Sequence, residues 1–363
     1  MAISNRSGVR RLLFSAIGLV MVLWLLPGRA PVAPIERYHL SMGTLVKLVL
    51  YVDEDLYVDE DLCADEDLCA DEDMVDPAVD GALAELAIVD SLMSRYSLTS
   101  EACRISALAG KAAFTASTPL VDVIERSSYF SRVTGGAFDP TVGALSVLWN
   151  FPEAMAPPME ASIDSALALV GYEDLVLDGN RVFLRRHGMQ LDLGAAAKGF
   201  AVDRAVAALE GVGIVAGLVE AGGDIRFWGR KPDGEPWRFG IRHPRVADCT
   251  VLSADVGLSS LATSGDYEQT FEFEQIKYHH ILDPATGRPA RKTVSATAWS
   301  TSALDADILS TALFVLGPEE GMKLVESHDE VEALMFYEAA GRLEYVYSGG
   351  LSTALQFPDC ARN

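Results

Sequence analysis

Extended basic clusters and closely paired cysteines are both missing from this 363-residue sequence, and each absence excludes a class of protein. The chain has 29 Lys and Arg against 52 Asp and Glu, which gives a formal net charge of −23. Without a basic patch to neutralise phosphates, we expect no nucleic-acid binding. The cysteines form no CxxC pair and no zinc-ligand spacing, so the common zinc modules are excluded as well.

Disulfide bonding is only weakly indicated by the cysteine content. The odd number leaves at least one thiol free, and inert thiols are our expectation for the set Cys63, Cys69, Cys103, Cys249 and Cys360. A bridge such as Cys63–Cys69 stays open, because disulfides persist in exported proteins.

The N-terminus has the pattern of a targeting segment. Arg6, Arg10 and Arg11 precede a mainly apolar run of fifteen residues, 12–26. At about 1.5 Å per residue the run reaches roughly 22 Å, short of the ~30 Å hydrocarbon core. The length favours a signal peptide, whereas the prolines at the small-residue cleavage site favour an uncleaved anchor. We therefore expect residues 1–33 to be one or the other, with the body in the periplasm or at the outer face of the cytoplasmic membrane.

An acidic hexapeptide repeat, YVDEDL-YVDEDL-CADEDL-CADEDM, occupies residues 51–74. The segment 53–76 holds 13 acidic residues and no basic one. A Ca²⁺ loop is one interpretation, because hard cations prefer carboxylate oxygens, but the repeat lacks the glycine and the glutamate spacing of an EF-hand. Adjacent like charges favour a solvated insertion instead. We place this insertion at 51–76, inside a catalytic domain that covers 34–363.

Helical and extended patterns alternate along the chain without a regular strand–helix–strand rhythm. One strand is predicted over residues 38–51, with Val46, Leu48 and Leu50 on one side. Helices are predicted over residues 76–95, 118–135, 163–170, 198–209, 304–316 and 319–327. Further strands are predicted over residues 175–177, 181–184, 214–219, 238–242 and 251–256. This mixture favours an α+β fold, in which mixed or antiparallel sheets pack against helices.

Two segments carry the strongest chemical signals. Small residues end a strand at 191–194, and the following helix carries Lys198, so free N–H groups and an ammonium are available to an anion. On a later helix, Asp307 and Thr311 are four residues apart and share one face. These two hard oxygen donors suit Mg²⁺, which leaves sites for water and phosphate. A plain strand-to-helix turn and a back-bonded hydroxyl are the structural alternatives.

Three weaker segments combine small residues with groups that can do chemistry. Glycine-rich turns occupy 135–140 and 221–225, each followed or accompanied by an Asp. A third segment, 263–267, precedes the adjacent pair His279 and His280. Neighbouring residues of a strand face opposite sides, so only one histidine is expected to reach a given site.

Taken together and in order, these segments resemble the ApbE family of FAD:protein FMN transferases between residues 38 and 317. The matching motifs are Met42-Gly43-Thr44, Ser94-Arg95-Tyr96, Gly136-Ala137-Phe138-Asp139-Pro140, Asp192-Leu193-Gly194 with Lys198-Gly199, Ala221-Gly222-Gly223-Asp224, Thr263-Ser264-Gly265-Asp266-Tyr267, His280-Ile281-Leu282-Asp283-Pro284, and Ala306-Asp307 with Ser310-Thr311.

The resemblance implies an ApbE-like flavin transferase fold with defined ligand contacts. FAD would be bound by Met42, Tyr96, Ala137, Phe138, Asp139, Asp192, Lys198 and Ile281. Mg²⁺ would be held by the Ala195 carbonyl, the Asp307 carboxylate and the Thr311 hydroxyl. Ser310 is counted with the metal residues because some family members carry an Asp at that position.

The implied reaction is the Mg²⁺-dependent transfer of FMN from FAD to a Thr or Ser hydroxyl of an acceptor flavoprotein, such as a membrane redox-complex subunit or an exported reductase. AMP is the leaving group. His280 is the first candidate for proton acceptor, since an unperturbed imidazole titrates near ~6.5, and Asp266 is the second. An FAD pyrophosphatase, a non-catalytic FAD-binding surface protein and a structural acidic module stay open as alternatives.

Overall fold

A computed structural model describes residues 33–52, 72–254 and 256–361. Except for its last residue, the targeting segment predicted for residues 1–33 lies outside these ranges, as does most of the acidic repeat with Cys63 and Cys69. Across the described ranges, no helix combines the length and the apolar content that a bilayer crossing requires.

Helices and strands follow one another irregularly along the described residues. The helices are α1 (Glu72–Met93), α2 (Glu101–Ala107), α3 (Thr118–Val133), α4 (Gly143–Trp149), α5 (Glu160–Leu167), α6 (Gly194–Gly211), α7 (Ala303–Leu316) and α8 (Pro318–Glu326). The strands are β1 (Ile35–Ser41), β2 (Thr44–Tyr51), β3 (Phe114–Thr115), β4 (Leu175–Asp178), β5 (Arg181–Leu184), β6 (Ala216–Ala221), β7 (Asp224–Trp228), β8 (Arg238–Arg242), β9 (Thr250–Ala254), β10 (Ser260–Gly265), β11 (Thr270–Phe273), β12 (Ile276–His279), β13 (Leu282–Asp283), β14 (Arg288–Pro289), β15 (Ser295–Ser300), β16 (Glu332–Ala339), β17 (Arg342–Tyr347) and β18 (Leu355–Gln356).

The central layer is an eight-stranded sheet in the order β1-β2-β6-β7-β10-β15-β16-β17, and each neighbouring pair is antiparallel. Val46, Leu48 and Leu50 on β2 are fully buried on the face that α1, α6 and α7 cover, as their alternation predicts. On the other face, the small sheet β18-β9-β8 closes a second apolar core. The predicted α+β class with antiparallel sheets is confirmed.

Residues 38–51 form a hairpin, and the prediction of a single strand is wrong. Strands β1 and β2 are antiparallel with Ser41 opposite Thr44. Between them, Met42 and Gly43 have φ angles of 51° and 72°. Two consecutive positive φ angles are typical of a two-residue type I′ turn, in which Gly43 is expected but methionine is uncommon. Because methionine is not a typical turn residue, the turn could not be predicted from the sequence. The turn places Met42 at the mouth of a cleft.

The predicted helices are present, with shifted starts in two cases. Helix α1 begins at Glu72, one turn before the expected Asp76, so that Pro77 lies inside it. Helix α6 begins at Gly194 rather than at residue 198. The other predicted helices differ from the structure by three residues or fewer at each end.

A disulfide joins Cys249 to Cys360 across 111 residues of sequence. The expectation of inert thiols is therefore wrong for this pair. Cys249 lies in the second apolar core, and the bond ties the C-terminal segment to the end of the β8–β9 hairpin. Nothing in the sequence spacing signals a pair this distant, because the fold alone brings the two residues together. Cys103 is a free, half-buried thiol.

We predict that the double variant Cys249→Ala/Cys360→Ala loses about 2–5 kcal/mol of unfolding free energy, since a crosslink over a long loop restricts the unfolded chain. Urea unfolding of the oxidised protein, the dithiothreitol-reduced protein and the variant measures this loss. Cys103→Ala is the control and should leave the unfolding midpoint in place. If reduction does not move the midpoint, the bond contributes no stability.

Candidate active site

A cleft of about 1020 Å³ lies where the β1–β2 turn, the β6–β7 turn, the start of α6 and the middle of α7 meet. It collects residues that are far apart in the sequence. The predicted site residues lining it are Met42, Tyr96, Ala137, Phe138, Asp139, Asp192, Ala195, Lys198, His280, Ile281, Asp307 and Thr311. Ser310 and Asp266 do not line it.

Helices α6 and α7 meet beside the cleft because Gly199 has no side chain. A Cβ atom there would lie 2.2 Å from the Ala303 carbonyl oxygen and 2.9 Å from Asp307 Cβ. The Gly199 N–H donates to Asp307 Oδ2 at 3.1 Å. In a regular helix this N–H would bond the carbonyl of Ala195, but Ala195 has φ −96° and ψ 24°, which breaks the first turn. Both features favour an Ala195 carbonyl that is free to bind a ligand.

Three charged side chains meet in the cleft. Lys198 Nζ contacts Asp224 Oδ2 and lies 3.6 Å from Asp307 Oδ2. Burial opposes the charge of Lys198, but the two carboxylates outweigh it and raise the Lys198 pKa. Burial, followed by the Asp307 charge, raises the pKa of Asp224 to about 8. Two buried carboxyl groups thus share one ammonium, so the cluster can accept one further positive charge, either a proton or a metal cation.

Hydroxyl groups complete the oxygen donors next to Asp307. Ser264 Oγ lies 3.2 Å from Thr311 Oγ1 and 2.9 Å from Ser310 Oγ. Ser310 Oγ donates to the Asp307 carbonyl at 2.9 Å and is buried, so Ser264 stands between it and the cleft. Ser264 was not predicted as a site residue, although its motif was recognised. Its contact with Thr311 orients that hydroxyl.

The residues present fit a magnesium ion. Nowhere in the described ranges do three His, Cys, Asp or Glu side chains gather as a metal cluster. A cation in the cleft would therefore depend on Asp307, the Thr311 hydroxyl and the Ala195 carbonyl. Hard oxygen donors with a single carboxylate suit Mg²⁺, because it keeps several waters and binds substrate phosphates.

Asp139 lines the cleft with both carboxylate oxygens already engaged. Oδ1 accepts the Thr141 N–H at 2.8 Å and the Thr141 hydroxyl at 2.6 Å, while Oδ2 accepts the Tyr172 N–H at 2.9 Å. Burial raises the pKa of Asp139, and these hydrogen bonds partly oppose the rise. Asp139 therefore shapes the wall of the cleft by holding two loops together.

Asp192 and Tyr96 are joined by an arginine that was not predicted as a site residue. Arg95 Nε lies 3.6 Å from Asp192 Oδ2, and the Arg95 guanidinium lies 4.2 Å from the centre of the Tyr96 ring. Asp192 Oδ1 also accepts the Gly194 N–H at 2.9 Å, which fixes the turn into α6. Tyr96 is 69% exposed, so its ring is able to contact a ligand ring at the cleft mouth.

The two adjacent histidines face opposite sides, as predicted. His279 is buried, with Nε2 2.8 Å from the Ala290 carbonyl oxygen. His280 lines the cleft, and its Nδ1 lies 3.3 Å from the Glu268 carbonyl oxygen. Burial lowers the pKa of His280 to about 4, so the imidazole is neutral at neutral pH. With a proton on Nδ1 for Glu268, Nε2 is left unprotonated and able to accept a proton.

Asp266 is held away from the cleft by basic side chains. Arg245 contacts both of its carboxylate oxygens, at 2.7 and 2.5 Å, and Lys277 Nζ lies 3.6 Å away. Burial alone would raise the pKa of Asp266, but the Arg245 hydrogen bonds lower it. This geometry does not support Asp266 as the second proton acceptor, and the pairing with Arg245 gives it a structural role.

Comparison with known proteins places most of the described residues in one family. The model of the ApbE family matches residues 42–335. The chain is 36% identical over 266 residues to the FAD:protein FMN transferase of Vibrio cholerae, which covers 72% of this chain and 79% of that protein. It is 33% identical over 329 residues to the FAD:protein FMN transferase of Treponema pallidum, covering 85% and 86%.

Solved structures give the same result. The flavin transferase ApbE from Vibrio cholerae superposes with a TM-score of 0.76 at 30% identity, covering 89% of this chain and all of that one. The apo form of the Pseudomonas stutzeri flavinyl transferase ApbE gives a TM-score of 0.75 at 29% identity, covering 89% and 97%. With its fold and most of its length shared with these proteins, the chain belongs to the ApbE family.

Proposed function

We propose that this protein is an FAD:protein FMN transferase that uses Mg²⁺ to move FMN from FAD onto a Thr or Ser hydroxyl of an acceptor flavoprotein. The observation that carries the proposal is the meeting of α6 and α7, where Gly199 bonds Asp307 beside Lys198. This meeting sets an ammonium, a carboxylate and a hydroxyl in one cleft with a neutral histidine. Phosphoryl transfer depends mainly on such positioning and charge.

The position of each residue in the cleft indicates its role in binding FAD or the cation. Lys198 would bind the FAD diphosphate from the start of α6, where free N–H groups also favour an anion. Asp307, Thr311 and the Ala195 carbonyl would hold Mg²⁺. When bound, this ion would withdraw negative charge from the diphosphate oxygens. Tyr96 and Met42, at the cleft mouth, would contact the ring systems of FAD.

The transfer step forms one bond and breaks another. The acceptor oxygen attacks the FMN-side phosphorus, a new P–O bond forms, and the bond between that phosphorus and the bridging oxygen breaks to release AMP. His280 Nε2 takes the proton of the attacking hydroxyl and returns it to solvent. The product is a protein with FMN in phosphodiester linkage, without any change of oxidation state.

One mixture tests this function. We would incubate the purified protein with FAD, Mg²⁺ and an acceptor flavoprotein, such as a membrane redox-complex subunit or an exported reductase. The mass of the acceptor is then measured by intact-mass spectrometry. We expect a covalent FMN on one Thr or Ser and an equal amount of AMP. Omission of Mg²⁺, or addition of EDTA, should stop both products.

Two other outcomes identify the alternatives. Free FMN and AMP in equal amounts, with an unmodified acceptor, would make the protein an FAD pyrophosphatase. Intact FAD that stays bound in the presence of Mg²⁺ would make it a flavin-binding protein. Either result contradicts the transferase proposal once a second acceptor candidate has given the same answer.

We also propose that the protein acts outside the cytoplasm, in the periplasm or at the outer face of the cytoplasmic membrane. The basic and apolar pattern of residues 1–33 supports export, and the Cys249–Cys360 disulfide suits an oxidising compartment. Sequencing the N-terminus of the protein purified from its own cells separates a cleaved signal peptide from a retained anchor. Recovery of the full chain in the cytoplasmic fraction would contradict export.

A further inference from the structure

A second polar cluster lies behind the cleft, on the elements that carry the cleft charges. Asp203 of α6 accepts the Ala303 N–H through Oδ1 and the Leu304 N–H through Oδ2, both at 2.9 Å. Arg226 of β7 donates to Asp203 Oδ1. A single carboxylate therefore joins one helix, one strand and the first turn of a second helix.

Three N–H groups at the start of α7 have side-chain acceptors, and the backbone bonds of the helix begin directly after them. Ser302 Oγ accepts the Asp305 N–H at 3.1 Å, and the Ser302 carbonyl accepts the Ala306 N–H at 3.1 Å. Asp203 accepts the two N–H groups before these. The first four N–H groups of a helix have no partner within it, so their partners fix where the helix begins. Here Asp203, from a different element, accepts two of the three that have side-chain acceptors, those of Ala303 and Leu304.

The second cluster repeats the connections of the first. Asp203 follows Lys198 by five residues on α6, and Arg226 follows Asp224 by two on β7. Leu304 precedes Asp307 by three residues on α7. The three elements that present the cleft charges are thus tied together a second time, about one helical turn away from the cleft. Nothing in the second cluster lines the cleft itself.

We propose that Asp203 is a positioning residue for the metal site, because it fixes the first turn of α7 against α6 and β7 and thereby holds Asp307 in reach of Lys198. This inference rests on the proposed function and extends it to a residue that touches neither FAD nor the cation. Residues behind the ligands of a metal site commonly set its affinity, since they fix the ligand positions.

A matched pair in the same turn provides the control. Arg126 of α3 donates to both oxygens of Asp305, with Nε at 2.6 Å from Oδ1. Asp305 lies on the same first turn of α7 and its ion pair has the same chemistry. Its partner comes from a helix that carries none of the three cleft charges. Asp305→Asn therefore measures the effect of losing a charge at this helix start without loosening α6 or β7.

The test uses Mn²⁺ as the probe and the full-length protein. Mn²⁺ binding is titrated by electron paramagnetic resonance for wild type, Asp203→Asn and Asp305→Asn, with unfolding midpoints measured alongside. We expect Asp203→Asn to raise the Mn²⁺ dissociation constant by about tenfold or more. In FMN transfer, this variant should lose turnover at low Mg²⁺, recover it at high Mg²⁺, and keep its KM for FAD. Asp305→Asn should bind Mn²⁺ like wild type.

The possible outcomes separate this inference from the function itself. If wild type binds no Mn²⁺, the proposed metal-dependent function is contradicted, and the inference about Asp203 is contradicted with it. If wild type binds Mn²⁺ and Asp203→Asn binds it as tightly as wild type and Asp305→Asn do, Asp203 has no positioning role. Should Asp203→Asn not fold, Arg226→Gln loosens the same carboxylate from β7 while leaving its bonds to α7. That variant is then expected to weaken Mn²⁺ binding, and wild-type affinity in it would overturn the inference.

Discussion

Replacing Asp307 with asparagine is expected to lower the rate of FMN transfer by about 10²–10³-fold, the loss typical when a preorganised charge-stabilising group is removed. Asparagine keeps the size of the side chain and an oxygen for the Gly199 N–H, so the α6–α7 contact should persist. The carboxylate charge that would hold Mg²⁺ is lost, and Lys198 keeps only Asp224 as a partner. The rate of AMP release at saturating FAD measures the effect.

Asp305→Asn serves as the control for Asp307→Asn, because it removes a carboxylate two residues away on the same helix without touching the cleft. Its transfer rate should stay close to that of wild type. Circular dichroism of both variants confirms that α7 is intact. An Asp307→Asn protein that retains more than about a tenth of wild-type turnover would remove the carboxylate from the mechanism.

The second large effect is expected at His280. His280→Ala should lower kcat for transfer by about 10²–10⁴-fold, the usual contribution of a general base, with FAD binding little changed. Because burial lowers the pKa of His280 to about 4, the base is unprotonated throughout the neutral range. Wild-type kcat/KM should therefore stay level as the pH is lowered from neutral and fall only as it passes through about 4, where the imidazole becomes protonated.

The pH profile of the His280→Ala protein gives the second half of this test. The acid limb should disappear, since no imidazole is left to protonate. His279→Gln is the control, because His279 is buried behind the strand and bonds only the Ala290 carbonyl. It should leave the position of the limb unchanged. A limb near the unperturbed ~6.5 in wild type would mean that the surroundings of His280 do not lower its pKa.

Many of the helices and strands could be predicted from the spacing of apolar residues in the sequence. The alternation of Val46, Leu48 and Leu50 predicted a face that is fully buried, and the long helical patterns were found within a few residues of their predicted bounds. Turn chemistry was less accessible. The hairpin at Met42 depends on a methionine with positive φ, which local preference disfavours and tertiary structure imposes. The order of the strands in the sheet could not be predicted from local sequence patterns either.

Several proposed site residues that are far apart in the sequence line one cleft, although their roles stay predictions. Lys198, Asp307, Thr311 and the cleft-facing His280 are brought together as the resemblance implied. Long-range partners were not predicted. The sequence shows Asp266 but does not show that Arg245 binds its carboxylate outside the cleft.

Burial explains the remaining difference. Ser310 shares a helix face with Asp307, but its hydroxyl turns back to the helix and contacts Ser264. The roles of Ser264, Arg95 and Asp203 follow from distances that only the folded chain defines, since each acts on a residue far away in sequence.

Crystals of the protein grown with Mn²⁺ in place of Mg²⁺ and measured at an anomalous-scattering wavelength would show whether the cleft binds a divalent cation. We expect one strong peak in the cleft, at about 2.1 Å from an Asp307 oxygen, the Thr311 hydroxyl and the Ala195 carbonyl. A cleft without a peak, with Lys198 still paired to both Asp224 and Asp307, would contradict the proposed metal site.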